Sequence, residues 1–150
     1  MERILVVGAG GQIGTELIPH LQKIYGVENV ISADLNDAMV EKMARMGGPA
    51  VKLNALDIDA FRNVVKEYQV DSIFNMVALL SATGEAKPEL AWDINIGALM
   101  NSLSIAKEFN CALFTPSSIG AFGDNTPKDA TPQDTVMRPN TIYGEILNNL

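Results

Sequence analysis

The stretch Ile4-Leu5-Val6-Val7-Gly8-Ala9-Gly10-Gly11-Gln12-Ile13-Gly14 decides how the rest of the chain is read. Four consecutive apolar residues, two of them valine, suit a strand covered on both faces, as in a parallel sheet. Glycines at 8, 11 and 14 then turn the chain tightly, and Ile13, Leu17, Leu21 and Ile24 follow at three- and four-residue steps. That spacing predicts a helix from Gln12 to Tyr25 with those four residues on its inner face. Pro19 lies inside it and is expected to kink or shorten it, since proline supplies no amide donor. Where such a helix begins, unpaired amides and the macrodipole favour an anion. Glycines leave the backbone bare for a phosphate to approach.

Outward from this stretch the same alternation repeats. Asn29 to Ala33 reads as a second strand, and Asp37 to Met46 as a helix stopped by Gly47-Gly48-Pro49. Ala50 to Leu53 is a third strand, and Asp59 to Tyr68 a helix with Asp59 as its cap. Ser72 to Val77 is a fourth strand. A long helix from Glu89 to Phe109 carries Ile96, Leu99, Leu103 and Ala106 on one face, and Ala112 to Thr115 is a fifth strand. Strands separated by helices predict an α/β fold with a Rossmann-type doubly wound parallel sheet. From Asp124 to Asn140 the prolines at 127, 132 and 139 predict an irregular surface loop. No internal repeat is present, and the length of 150 residues suits one domain.

The second strand ends next to Asp34, about twenty residues beyond the last glycine of the turn. A carboxylate there accepts hydrogen bonds from the hydroxyls of an adenosine ribose. A 2′-phosphate in that place meets a like charge, and Leu35, Asn36 and Asp37 supply no arginine to receive it. NAD is therefore expected over NADP. Asp57-Ile58, after the third strand, reads equally well as a cover for the adenine edge or as a helix start.

Composition narrows the partners. Hydrophobic residues make up 47% and charged residues 19%, with a net charge of −7. The negative sign repels phosphate backbones and anionic membranes, so neither nucleic acid nor a membrane surface is an expected partner. One cysteine and one histidine give no disulfide framework and no zinc cluster. Cys111, in an apolar run, reads as an inert thiol, and His20 as a surface residue. The N-terminal apolar run is too short for a signal-peptide core, and a cytoplasmic protein is expected. Trp92 and the Met39, Met43, Met46 series read as packing residues.

Further segments carry a resemblance. Gly8, Gly11 and Gly14 with Asp34 resemble the extended short-chain dehydrogenase/reductase family. Ala78-Leu79-Leu80-Ser81-Ala82-Thr83-Gly84-Glu85, Asp93-Ile94-Asn95-Ile96, Pro116 to Gly123 and Arg138 to Gly144 look like the NAD-dependent L-threonine 3-dehydrogenases within it. The resemblance implies that Ser118 is the catalytic hydroxyl and Tyr143 the catalytic acid/base, both touching substrate. It implies NAD contacts at Gly8, Gly11, Gln12, Ile13, Gly14, Asp34, Leu35, Asp57, Ile58, Ala78, Leu79, Leu80, Asn95 and Ser117. Ser81 and Gly84 fall where that subgroup touches a threonine-like substrate. The chemistry is coherent, because oxidising a secondary alcohol needs a base at the hydroxyl while a hydride leaves.

One position departs. The family carries a lysine four residues after its tyrosine, where this chain has Leu147, and Glu145 adds a negative charge beside it. Family members are also longer, and the resemblance implies a C-terminal half that supplies further strands and most of the substrate pocket. Three readings stay open: a dehydrogenase of L-threonine, an NAD-binding module without turnover, and a nucleotide-sugar epimerase or dehydratase. A sheet ending at the fifth strand leaves unpaired backbone groups, so a homodimer or higher oligomer is expected, and the resemblance implies that a helix like 89–109 packs on a twin.

Overall fold

The computed structural model describes residues 1–148, which fall into two compact units: Met1–Val77 with Gly97–Thr115, and Ala78–Ile96 with the residues from Pro116 onward. The first unit is built on five parallel strands: β1 (Ile4–Val7), β2 (Val30–Asp34), β3 (Ala50–Lys52), β4 (Ser72–Asn75) and β5 (Ala112–Phe114). Their order across the sheet is β3-β2-β1-β4-β5. Ile4 to Val7 pair residue for residue with Val30 to Ala33 on one side and with Ser72 to Asn75 on the other. All four β1 side chains are buried, as a strand central to a two-sided sheet requires.

Side chains alternate across the sheet, and a cluster lies on each face. Ile4, Val6 and Val30 pack with Ile18, Leu21 and Met43. The last three come from helices α1 (Gln12–Tyr25) and α2 (Asp37–Met46). Leu5, Val7, Ile31 and Ala33 pack with Phe61, Val65, Ala98 and Ile105. These come from α3 (Ile58–Glu67) and, counting a short helix α4 (Ser81–Ala86) between them, from α5 (Pro88–Phe109). The sheet is thus covered on both faces, the Rossmann-type α/β arrangement that the alternation predicted. Truncating fully buried Phe61 to alanine removes roughly 3–5 kcal/mol of stability.

Several expectations are corrected in detail. The inner face of α1 is Gly14, Ile18, Leu21 and Gln22, whereas Ile13 and Ile24 are 60% and 70% exposed. The cause is backbone contact: a Cβ on Gly14 would lie 2.5 Å from the Ala9 carbonyl oxygen, so the helix turns its bare glycine inward. Pro19 does not shorten α1, which runs the full Gln12–Tyr25 with the proline on its exposed face. On α5, Leu99 and Ala106 are buried, but Leu103 is exposed and Ile105 takes the inner position. The cap of α3 is Asp57, whose carboxylate accepts from the Ala60 amide at 3.0 Å. Asp59 instead pairs with Arg62. Trp92 remains substantially exposed.

The second unit holds α4, the first residues of α5, a single 3-10 turn at Ile119–Ala121, and helix α6 (Ile142–Asn148). Helix α4 was not expected. Pro88 opens α5, where its missing amide costs nothing. Residues 124–140 contain no helix or strand, as their prolines predicted. No described helix is long and apolar enough to cross a membrane.

Candidate functional site

In the first unit, β1 to β3 progress in one direction across the sheet and β4 to β5 in the other. The carboxyl ends of β1 and β4 therefore flank the switch point, where open α/β sheets bind ligands. The glycine turn leaves β1 at this point. Gly8 takes a φ of +79°, and a Cβ there would lie 3.0 Å from the Met76 carbonyl carbon and the Val77 nitrogen. Only glycine fits both demands.

Of helices α1 to α3, α1 alone lacks a side-chain cap. Asn36 caps α2 and Asp57 caps α3, each with a side-chain oxygen. At the start of α1, Gly11 offers no side chain, and the first turn holds no acid. The amides of Gln12, Ile13 and Gly14 are the ones that an α-helix cannot satisfy internally. An uncapped N-terminus facing a switch point is what a pyrophosphate requires.

Asp34 closes β2 beside this turn. One carboxylate oxygen accepts from the Gly10 amide at 2.8 Å and the other from the Asn36 amide at 2.9 Å. Each oxygen keeps a further lone pair for a ribose hydroxyl. Gly10 is the residue that sequence reasoning missed. A Cβ there would lie 2.4 Å from Met39 Cβ and 2.9 Å from the Asp34 carboxylate. The signal was the doubled glycine at 10 and 11. Leu35 follows, well exposed. Asp57 serves as a cap, and Ile58 packs against the core, so both have a structural task here. Bare amides, close-approach glycines and a fixed carboxylate together suit a dinucleotide.

In the second unit, Asn95 is buried and spends its side chain on one residue. Its oxygen accepts from the Leu79 amide at 2.6 Å, and its nitrogen donates to the Leu79 carbonyl at 3.1 Å. That paired bond fixes the backbone of Ala78-Leu79-Leu80. Ser81 is exposed at the start of α4, and Gly84 is buried against Ala91 and Ile142.

Ser118 opens the 3-10 turn, and its hydroxyl oxygen accepts from the Gly120 amide at 3.2 Å, while Ser117 is exposed. A Cβ on Gly120 would lie 3.2 Å from the Tyr143 ring and 3.6 Å from the Ser118 oxygen, so both side chains flank this one glycine. Gly144 sits against the Gly120 carbonyl, where an added Cβ would come within 2.3 Å. Two glycines thus allow α6 to seat Tyr143 on the Ser118 turn. Leu147 is buried on the same helix beside Ile146, so the position of the family lysine is apolar core.

Other candidates stay structural. The Cys111 thiol donates to the Val70 carbonyl, and burial followed by the charge of Asp71 pushes its pKa up. His20 is exposed, with its Nδ1 2.9 Å from the Glu16 carbonyl.

Comparison with known proteins follows the same lines. Residues 4–146 match the model of the NAD dependent epimerase/dehydratase family. The chain belongs to that family. An uncharacterized epimerase/dehydratase of Staphylococcus aureus (strain USA300) is 47% identical over 144 residues, which is 96% of this chain and 44% of that protein. The structure of L-threonine dehydrogenase from Clostridium difficile superposes with a TM-score of 0.88 at 45% identity, covering 97% of this chain and 46% of that one. A UDP-glucose 4-epimerase shares the fold, with a TM-score of 0.83 at 20% identity. The chain therefore spans under half the length of these epimerase/dehydratase relatives. Its five-stranded sheet corresponds to the N-terminal half of a threonine dehydrogenase structure.

Proposed function

We propose that this chain is the NAD-binding part of an oxidoreductase that converts L-threonine to 2-amino-3-oxobutanoate. The observation that carries the cofactor assignment is the uncapped start of α1 beside an Asp34 carboxylate already fixed by the Gly10 amide. Gln12, Ile13 and Gly14 would hold the pyrophosphate through backbone amides, and Asp34 would hold the adenosine ribose. Asp34 also disfavours a 2′-phosphate, which favours NAD over NADP. When bound, NAD supplies the hydride acceptor.

The remaining steps belong to the second unit. The Ser118 hydroxyl holds the β-oxygen of the substrate by a hydrogen bond, and the Tyr143 phenolate oxygen takes the hydroxyl proton, becoming the phenol, as the carbonyl forms. The identity of 45% with a threonine dehydrogenase, against 20% with a sugar epimerase, supports an amino-acid substrate.

One observation favours a second reading, an NAD-binding module without turnover. Buried Leu147 supplies no cation beside Tyr143. Threonine-dependent formation of NADH, followed by absorbance, separates the two. Turnover supports the dehydrogenase, whereas saturable NAD binding with no NADH formed leaves the module.

Self-association is the companion proposal. Met100 and Leu103 lie three residues apart on α5, both about half exposed. Apolar side chains at that spacing suit a helix packed on a second copy. A single monomeric boundary in sedimentation velocity would contradict it.

A further inference from the structure

Helix α6 does not hold its own first turn unaided. A helix of seven described residues is far below the length that is stable alone, so tertiary bonds must fix it. One of these is local: the Thr141 hydroxyl oxygen accepts from the Gly144 amide at 3.0 Å. Another comes from 57 residues away, where Glu85 Oε1 accepts from the Ile142 amide at 2.7 Å. A carboxylate in this place also faces the positive end of the helix dipole. The residue before it, Gly84, is buried, and a Cβ there would lie 3.7 Å from Ile142 Cγ2. Glu85 thus grips Ile142 by a hydrogen bond, and the bare Gly84 beside it leaves room for the Ile142 side chain. Tyr143 is the next residue along.

We infer that Glu85 is a positioning residue for Tyr143, tying the segment that carries Ser81 to the turn that presents the phenol. The inference rests on the proposed dehydrogenase reading for its catalytic consequence but not for its structural one. Ser81 opens α4 and Glu85 lies near its end, so both belong to one short helix. If α4 shifts, the Ile142 amide loses its acceptor and the first turn of α6 loosens.

The test uses the whole chain and two variants, Glu85→Ala and Glu85→Gln. Amide hydrogen exchange in residues 142–145 is measured by mass spectrometry, alongside steady-state kinetics with L-threonine and NAD. Glu85→Ala is expected to speed exchange there about tenfold, in keeping with loss of a charge-assisted hydrogen bond. kcat falls with it, while KM for NAD stays unchanged. Glu85→Gln keeps an acceptor oxygen and is expected to restore most of both. Unchanged exchange in Glu85→Ala overturns the inference, and so does Glu85→Gln behaving as Glu85→Ala. If the unmodified chain gives no turnover, the dehydrogenase reading fails, while exchange still decides the grip of Glu85 on α6. If Glu85→Ala does not fold, native-like exchange in Glu85→Gln supports the bond and fast exchange refutes it.

Discussion

The Gly10 amide donates to the Asp34 carboxylate at 2.8 Å, which makes the glycine turn and the acid closing β2 a single hydrogen-bonded unit. An acid held in this way needs little reorganisation before it receives a ribose. Asp34→Asn keeps the shape and the oxygen that can face Gly10 but removes the charge. We expect it to weaken NAD binding by about tenfold to a hundredfold, the range for one hydrogen bond to a charged group. NADP binding should strengthen relative to NAD, because the like charge is gone. Paired titrations with the two dinucleotides give the ratio, and an unaltered ratio would place the ribose elsewhere.

Backbone contact at Gly14 makes a separate prediction about stability. A Cβ would meet the Ala9 carbonyl oxygen at 2.5 Å, and no flexible side chain is there to yield. Gly14→Ala should therefore destabilise the chain by about 1–3 kcal/mol, the usual cost of overpacking. Denaturant unfolding measures it directly. An alanine tolerated at this position would mean that α1 lies farther from the turn at Ala9 than the structure has it.

The same contact explains where sequence reading failed. Apolar spacing placed Ile13 and Ile24 on the inner face of α1, yet both are largely exposed, because closeness of backbones and not side-chain bulk sets the helix rotation. Strand β1, by contrast, was legible residue by residue, since four apolar side chains in a row have few other uses. At the site, Gly8, Gly11 and Asp34 were legible from spacing. Gly10 was not, because its role depends on Asp34 and Met39 arriving from β2 and α2. Glu85 was equally hidden, since nothing in its neighbourhood announces a partner 57 residues away. Asp57 and Asp59 show the limit of capping rules: two acids bracket the helix start, and only the loop backbone decides which one reaches the Ala60 amide.

Acid sensitivity follows from Asp71, just before β4. Burial alone would raise its pKa. Hydrogen bonds from the Ser72 hydroxyl and the Glu2 and Arg3 amides, with the N-terminal ammonium, outweigh that and hold it below the usual carboxylate value. A folded-state value below the unfolded one stabilises the fold above the unfolded pKa, and that contribution is lost as pH falls through the folded value. The chain should therefore weaken below about pH 4, near the ordinary aspartate value. Asp71→Asn should be less stable than the parent at neutral pH and show a shallower loss on acidification. Thermal unfolding across that range checks both, and parallel acid limbs would assign the sensitivity to other carboxylates.

A calorimetric titration of the chain with NAD tests the central assignment most directly. One saturable NAD site per chain is expected, weakened by Asp34→Asn and binding NADP less tightly. NAD heats no larger than dilution, or binding indifferent to Asp34, would contradict it.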